Sequence, residues 1–281
     1  MLGVWQYVLD QHDPADEPPA TADEDVGPRT NEEAASDPVQ PVPAQLPRDT
    51  RHFTGRQDAL HTLRSQIAAT GREPASPATT VPTLLSFGPP GFGKSALAVQ
   101  VAHQLREAFL DGQLYVNLRG AERDRLAPAA VLGQFLRALG LPEEDVPTDL
   151  GEQVARYRTL MWGRRILVLL DDAANAAQVE PLLPASPTCA VLIASRDVLK
   201  DLDGVHRERL KVLEPNAATE LLGKLVGPER VAREPEAANA IAGYCDNMPL
   251  ALRIAGAKLA ARPDNWSLAT LAGTGELRAQ L

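Results

Sequence analysis

Eight residues, Gly88-Pro89-Pro90-Gly91-Phe92-Gly93-Lys94-Ser95, fit the spacing G-x-x-x-x-G-K-[ST] at every fixed position. Glycines at these positions let the backbone fold into a concave nest whose N–H groups point at phosphate oxygens. Lys94 then supplies a positive charge for β- and γ-phosphates, and the Ser95 hydroxyl is a hard-oxygen ligand suited to Mg²⁺. Such a loop works only between a strand and a helix. Residues 83–87 before it are short and apolar, as a buried parallel strand is. Residues 95–109 after it place Leu97, Val101, Leu105 and Phe109 on one helical face. Strand, loop and helix together set a positive helix N-terminus on the phosphates.

Further chemistry sits where strands end. In open α/β sheets the ligand binds outside the carboxyl ends of the strands. Asp171 directly follows the apolar run 166–170 and is placed to share Mg²⁺ with Ser95. Asp172 could polarise an attacking water. The alternative for this pair is a helix cap. Arg196 ends the apolar run 190–194 and could sense a γ-phosphate through a charge-assisted hydrogen bond, or be a surface ion-pairing arginine.

The elements that must carry these residues follow from periodicity. A helix with Leu60, Leu63 and Ile67 on one face is expected before the phosphate loop, stopped at Gly71. Strands are expected at 113–118, 166–170, 190–194 and 210–213. Helices are expected at 131–139 with Gly140 as the stop, after Asp149, and at 179–183. Three more follow at 216–226, 234–245 and 249–261. The alternation predicts an α/β fold: a P-loop NTPase with a parallel sheet flanked by helices, followed by a small helical subdomain. Its expected limits are 51–214 for the nucleotide-binding domain and 215–281 for the helical part.

Charge divides the 281-residue chain unevenly. Residues 1–50 hold 11 Asp/Glu against Arg29 and Arg48, which accounts for the whole net charge of −9. Residues 51–281 balance 26 acids with 26 Lys/Arg, so no basic stripe for nucleic acid emerges. Residues 11–50 are rich in Pro, Asp, Glu and Ala and are expected to be a disordered acidic linker within residues 1–50. Apolar and aromatic residues at 2–9 read as the end of a preceding element, a docking segment or an unstructured start. No apolar run approaches a membrane span, and no signal peptide is visible. Cys189 and Cys245 read as buried thiols in a reducing compartment, so a cytoplasmic location is expected.

Phe53-Thr54-Gly55-Arg56, the phosphate loop, LLDD at 169–172, ASR at 194–196 and NMPLAL at 247–252 occur in the order found in STAND-class ATPases. Residues 50–281 resemble most closely the NB-ARC domain of the large Streptomyces antibiotic regulatory proteins. The segments GQLYVNLRG at 112–120, AAQVEPLLPAS at 176–186 and PLALRIAGAKLAARP at 249–263 share the likeness. The resemblance implies that Gly91, Phe92, Gly93, Lys94, Ser95 and Ala96 hold the phosphates. It implies that Phe53, Thr54 and Pro249 border adenine and ribose, that Arg56 reaches ribose or phosphates, and that Arg196 senses the γ-phosphate. Gln57 stands where the family often has Glu, and Asn247-Met248 where it has Gly-Leu, which puts the ribose edge in question. The chain stops where a winged-helix domain would begin in the family, so an excised module of a longer regulator is expected, with a natural short protein as the alternative.

The implied function is an ATP/ADP switch with Mg²⁺ and slow hydrolysis, regulating transcription of antibiotic biosynthesis. The implied partners are nucleotide and, on nucleotide exchange, a second copy; DNA contact belongs to a domain outside this chain, and no membrane partner is expected. Two other readings stand beside it: a stand-alone P-loop ATPase that drives another process, and a scaffold that has lost hydrolysis. The first would turn over rapidly without a partner. The second sits poorly with intact Lys94, Ser95, Asp171 and Asp172.

Overall fold

The computed structural model describes residues 42–70, 80–262 and 267–273. The expected stop at Gly71, the segment 2–9 and most of the expected linker lie outside them. The described residues form a five-stranded parallel sheet in the order β2-β3-β4-β1-β5. The strands are β1 (Thr83–Phe87), β2 (Gln113–Asn117), β3 (Leu167–Ala173), β4 (Ala190–Ser195) and β5 (Val205–Arg209). Side chains alternate across a strand, so both faces must be covered when both are apolar. Along β3 and the residue before it, Ile166, Val168 and Leu170 enter one core cluster while Leu167 and Leu169 enter the other.

The first cluster is roofed by α3 (Pro128–Ala138) and α4 (Leu150–Met161), through Leu132, Phe135, Tyr157 and Met161. The second is roofed by α1 (Gln57–Thr70) and α2 (Lys94–Leu105), through Leu63, Leu97 and Val101. A short helix α5 (Ala176–Val179) links β3 to β4. A third cluster belongs to the helical part: α6 (Pro215–Val226), α7 (Pro228–Arg233), α8 (Pro235–Tyr244), α9 (Pro249–Ala260) and α10 (Leu268–Gly273). Leu213, Leu222, Ile241, Leu252 and Leu259 fill it.

One expected strand moves, part of the expected linker is described, and one alternative falls away. The strand expected at 210–213 lies instead at β5, five residues upstream. Leu210 and Leu213 lie between β5 and α6 and are buried, Leu210 in the second cluster and Leu213 in the third. Residues 43–45, within the stretch expected to be linker, pair with the sheet. Ala44 bridges Gln113, Gln113 N–H donates to Pro43 O at 2.6 Å, and Gln45 N–H returns to Gln113 O. Residues 43–45 thereby satisfy the outer edge of β2, which would otherwise expose unpaired backbone groups. Finally, Asp171 and Asp172 lie inside β3 and cap no helix; Asn175 caps α5 by accepting from Gln178 N–H.

Candidate functional site

The phosphate loop leaves β1 at Gly88 and enters α2 at Lys94. Gly88, Gly91 and Gly93 all have positive φ, at 144°, 80° and 87°. That region is nearly closed to residues with a Cβ, and it is what turns successive N–H groups inward. Gly91 has a second reason to be glycine: a Cβ there would lie 3.1 Å from Met248 Sδ and 3.2 Å from Leu250 Cβ. The loop is therefore pressed against the start of α9, and Leu250 N–H donates to Gly91 O at 3.2 Å.

Two cavities meet at Gly91, Lys94 and Ser95. One, of about 290 Å³, is largely apolar, and all ten residues expected to bind nucleotide border it. Phe53, Thr54 and Arg56 come from the segment before α1, Phe92, Gly93 and Ala96 from the loop and α2, and Pro249 from α9. Sequence reasoning missed His52, Leu213, Leu221, Leu250 and Arg253, which complete the walls. Leu250 was within reach, since it follows Pro249 directly. The segment 52–54 is held from the helical part: Lys224 Nζ donates to Phe53 O at 3.3 Å and Thr54 Oγ1 at 3.1 Å. Arg56 uses Nη2 on two carbonyls, Phe92 O at 3.0 Å and Lys211 O at 2.6 Å.

The second cavity, of about 240 Å³, is polar and brings together Lys94, Ser95, Asp171, Asp172 and Arg196. Ser95 Oγ donates to Asp171 Oδ1 at 2.7 Å, so two hard oxygens from loop and strand stand side by side. Burial raises the Asp171 carboxyl above its ordinary value, against the Ser95 hydroxyl and the Asp172 N–H, which both favour the anion. Burial also lowers the Lys94 ammonium, helped by Arg196 and opposed by both aspartates. Its Nζ donates to Pro89 O at 2.8 Å, within the loop. A carboxylate with Ser Oγ, next to a glycine cradle for phosphate, is the donor set Mg²⁺ takes together with waters.

Asp172 sits at an irregularity of β3, with φ 49° and a register shift between Leu170 and Ala173. Its Oδ2 accepts from Ala121 N–H at 3.0 Å, and its Oδ1 lies 3.7 Å from Arg196 Nε. Arg196 is half exposed, so that pairing is loose. Asn117, at the carboxyl end of β2, also borders this cavity and was not anticipated. The rule that found Asp171 would have found it: a polar residue at a strand's carboxyl end, paired in register with Asp171.

Among known proteins, the chain is 47% identical over 230 residues to the regulatory protein AfsR of Streptomyces coelicolor, covering 82% of this chain and 23% of that protein. It is 46% identical over 251 residues to AfsR of Streptomyces griseus, covering 89% of this chain and 25% of that one. It thus spans about a quarter of the length of these relatives. Among solved structures it is similar to a Signal Transduction ATPase with Numerous Domains (STAND) protein with a tetratricopeptide repeat sensor from Pyrococcus horikoshii. That match has TM-score 0.50 and 20% identity, over 77% of this chain and 31% of that one. The Aeropyrum pernix Orc1 protein, solved in complex with DNA, matches with TM-score 0.52 and 18% identity, over 80% and 65%. These two likenesses show the fold, that of a P-loop NTPase with a helical C-terminal part. The NB-ARC domain model matches residues 78–232, more than half of the chain and the span that carries the phosphate loop, Asp171 and Arg196; the chain belongs to the NB-ARC domain family.

Proposed function

We propose that this chain is the nucleotide-gated module of a transcription activator of antibiotic biosynthesis, a slow ATPase that alternates between ADP and ATP. The observation that carries this reading is the pair of cavities joined at Gly91, Lys94 and Ser95, one apolar and one polar. In this reading the nucleoside occupies the first and the phosphate chain the second. Both sheet and helical parts wall the first cavity, so bound nucleotide would bridge them. The likeness to AfsR supports the regulatory side of the reading.

In this scheme Phe53, Thr54 and Pro249 border adenine and ribose. The loop from Gly91 to Ala96 cradles phosphates with its N–H groups, and Lys94 leaves Pro89 O for a phosphoryl oxygen. Arg56 positions the loop through Phe92 O and, from the wall of the same cavity, reaches ribose or phosphates. Ser95 and Asp171 would hold Mg²⁺, which when bound offsets charge on the β- and γ-phosphates. Arg196, free to move from its loose pairing with Asp172, meets the γ-phosphate, and Asp172 faces the attacking water. No described helix is long and apolar enough to cross a membrane. We assign the chain to the cytoplasm, DNA contact to other parts of a longer protein, and self-association to the ATP-bound form.

The test is calorimetry with ADP and Mg-ATP on the wild-type chain and Lys94→Ala. Removing the ammonium should weaken ATP by at least about tenfold, the scale of a charge-assisted hydrogen bond. Unchanged affinity would remove Lys94 from the site and overturn the reading. Steady-state turnover above about 1 s⁻¹ without a partner would instead mark a dedicated ATP-driven enzyme.

A further inference from the structure

We propose that Asn117 holds the water that attacks the γ-phosphate. This rests on the nucleotide reading above. Phosphoryl transfer runs in line, with attacking and leaving oxygens on opposite sides of the phosphorus. The leaving oxygen belongs to the β-phosphate, which the loop after β1 would cradle. The attacking water must then stand on the side away from that loop. From β1 the sheet runs to β4, β3 and β2. Arg196 borders the polar cavity from the end of β4, Asp171 and Asp172 from β3, and Asn117 from β2, the strand farthest from the loop.

The orientation of the amide follows from its partner. Asn117 Oδ1 accepts from Arg119 N–H at 2.9 Å, and a backbone N–H can only donate. The oxygen is therefore engaged and Nδ2 is left with its hydrogens, for which no acceptor is present among the described residues. The segment beyond Asn117 is stapled to β3: Leu118 N–H donates to Asp171 O at 2.8 Å and Gly120 N–H to Asp172 O at 2.6 Å. Arg119 takes φ 53° between these two bonds. Asn117 is thus a neutral donor on a fixed backbone, beside two carboxylates that can only accept when ionised.

A water donating to Asp172 and accepting from Asn117 Nδ2 keeps a lone pair for the γ-phosphorus. The new P–O bond forms as the bond to the bridging oxygen breaks, and that electron pair leaves on ADP. Both water protons end on inorganic phosphate, so atoms and charge balance.

The experiment compares wild type, Asn117→Ala and Asn117→Ser as full chains. Serine can keep an acceptor for the Arg119 N–H in a short turn, while its hydroxyl, one bond shorter, no longer places a donor where the amide nitrogen stood. Single-turnover phosphate release should fall about 100-fold in both variants, the cost of losing one positioned donor. Affinities for ADP and Mg-ATP should stay within about twofold of wild type. A serine variant that hydrolyses at the wild-type rate would overturn the assignment and leave only a turn-forming role. So would a wild-type chain that binds Mg-ATP yet releases no phosphate. A wild-type chain that binds no nucleotide would fail at the earlier step and overturn both readings.

Discussion

Arg56 shows how one side chain ties two backbone segments of the site together. Its Nη2 joins Phe92 O of the phosphate loop to Lys211 O of the linker between β5 and α6. Lysine carries the charge, but its terminal nitrogen stands one bond nearer the backbone and falls short of the two carbonyls that Nη2 reaches. Arg56→Lys should therefore fail to rescue Arg56→Ala. Both should lose about 1–2 kcal/mol, the worth of charged hydrogen bonds at a half-buried position, read as a lower urea midpoint without nucleotide. ADP affinity should fall in parallel, because the Phe92 carbonyl is freed. The Asn247-Met248 departure also resolves at this scale. Asp246 and Asn247 take φ 49° and 54°, a conformation that short polar side chains tolerate. Asn247 therefore keeps the backbone that glycine would give, and its carbonyl accepts from Leu213 N–H at 3.1 Å.

Among the elements, α10 is held by one carboxylate. Glu234, at the start of α8, accepts from Ser267 Oγ, Leu268 N–H and Ala269 N–H, and so caps the first turn of α10. Those bonds favour the anion and hold Glu234 below the ordinary glutamate value of 4.5. The stability they give is fully present above that value and is lost as pH falls through the lower folded value. Hydrogen exchange at Leu268 and Ala269 should thus be protected at neutral pH and released in acid. Glu234→Ala should release it at every pH, with the α/β core unchanged. The same scale explains which elements could be read from sequence. β1, β3 and β4 are buried on both faces, and their apolar runs announced them. β5 did not: Val-His-Arg-Glu-Arg is a half-exposed edge strand with no apolar run. Its Arg207 instead donates to Val198 O at 3.0 Å and Leu199 O at 2.8 Å, a contact no periodicity reveals. α7 was hidden by its six residues, although Gly227 and Pro228 punctuate its start. The phosphate loop, Asp171 and Arg196 were legible because local spacing fixes them, and Asn117 lay open to the same strand-end rule; His52 and Arg253 join the cavity only through tertiary folding.

At the scale of the whole molecule, the sheet and the helical part close on each other through contacts too tight for a side chain. A Cβ on Gly55 would lie 2.3 Å from Ala217 Cβ on α6, and φ at Gly55 is 70°. Gly55→Ala should lower the melting temperature and weaken ADP together, since it pushes α6 from the wall of the apolar cavity. Adding Ala217→Gly should recover the part due to collision and leave the part due to backbone strain, about 1–2 kcal/mol. The hydrogen bond from Leu250 N–H to Gly91 O reaches further. It makes the loop that would hold phosphate and the first turn of α9 one mechanical unit. Binding couplings are reciprocal: if nucleotide changes the affinity of a partner for α9 by some factor, that partner changes nucleotide affinity by the same factor. A protein that grips α9 and never enters the cleft would therefore act as an exchange factor, with its strength readable from how much tighter it holds the empty chain than the loaded one.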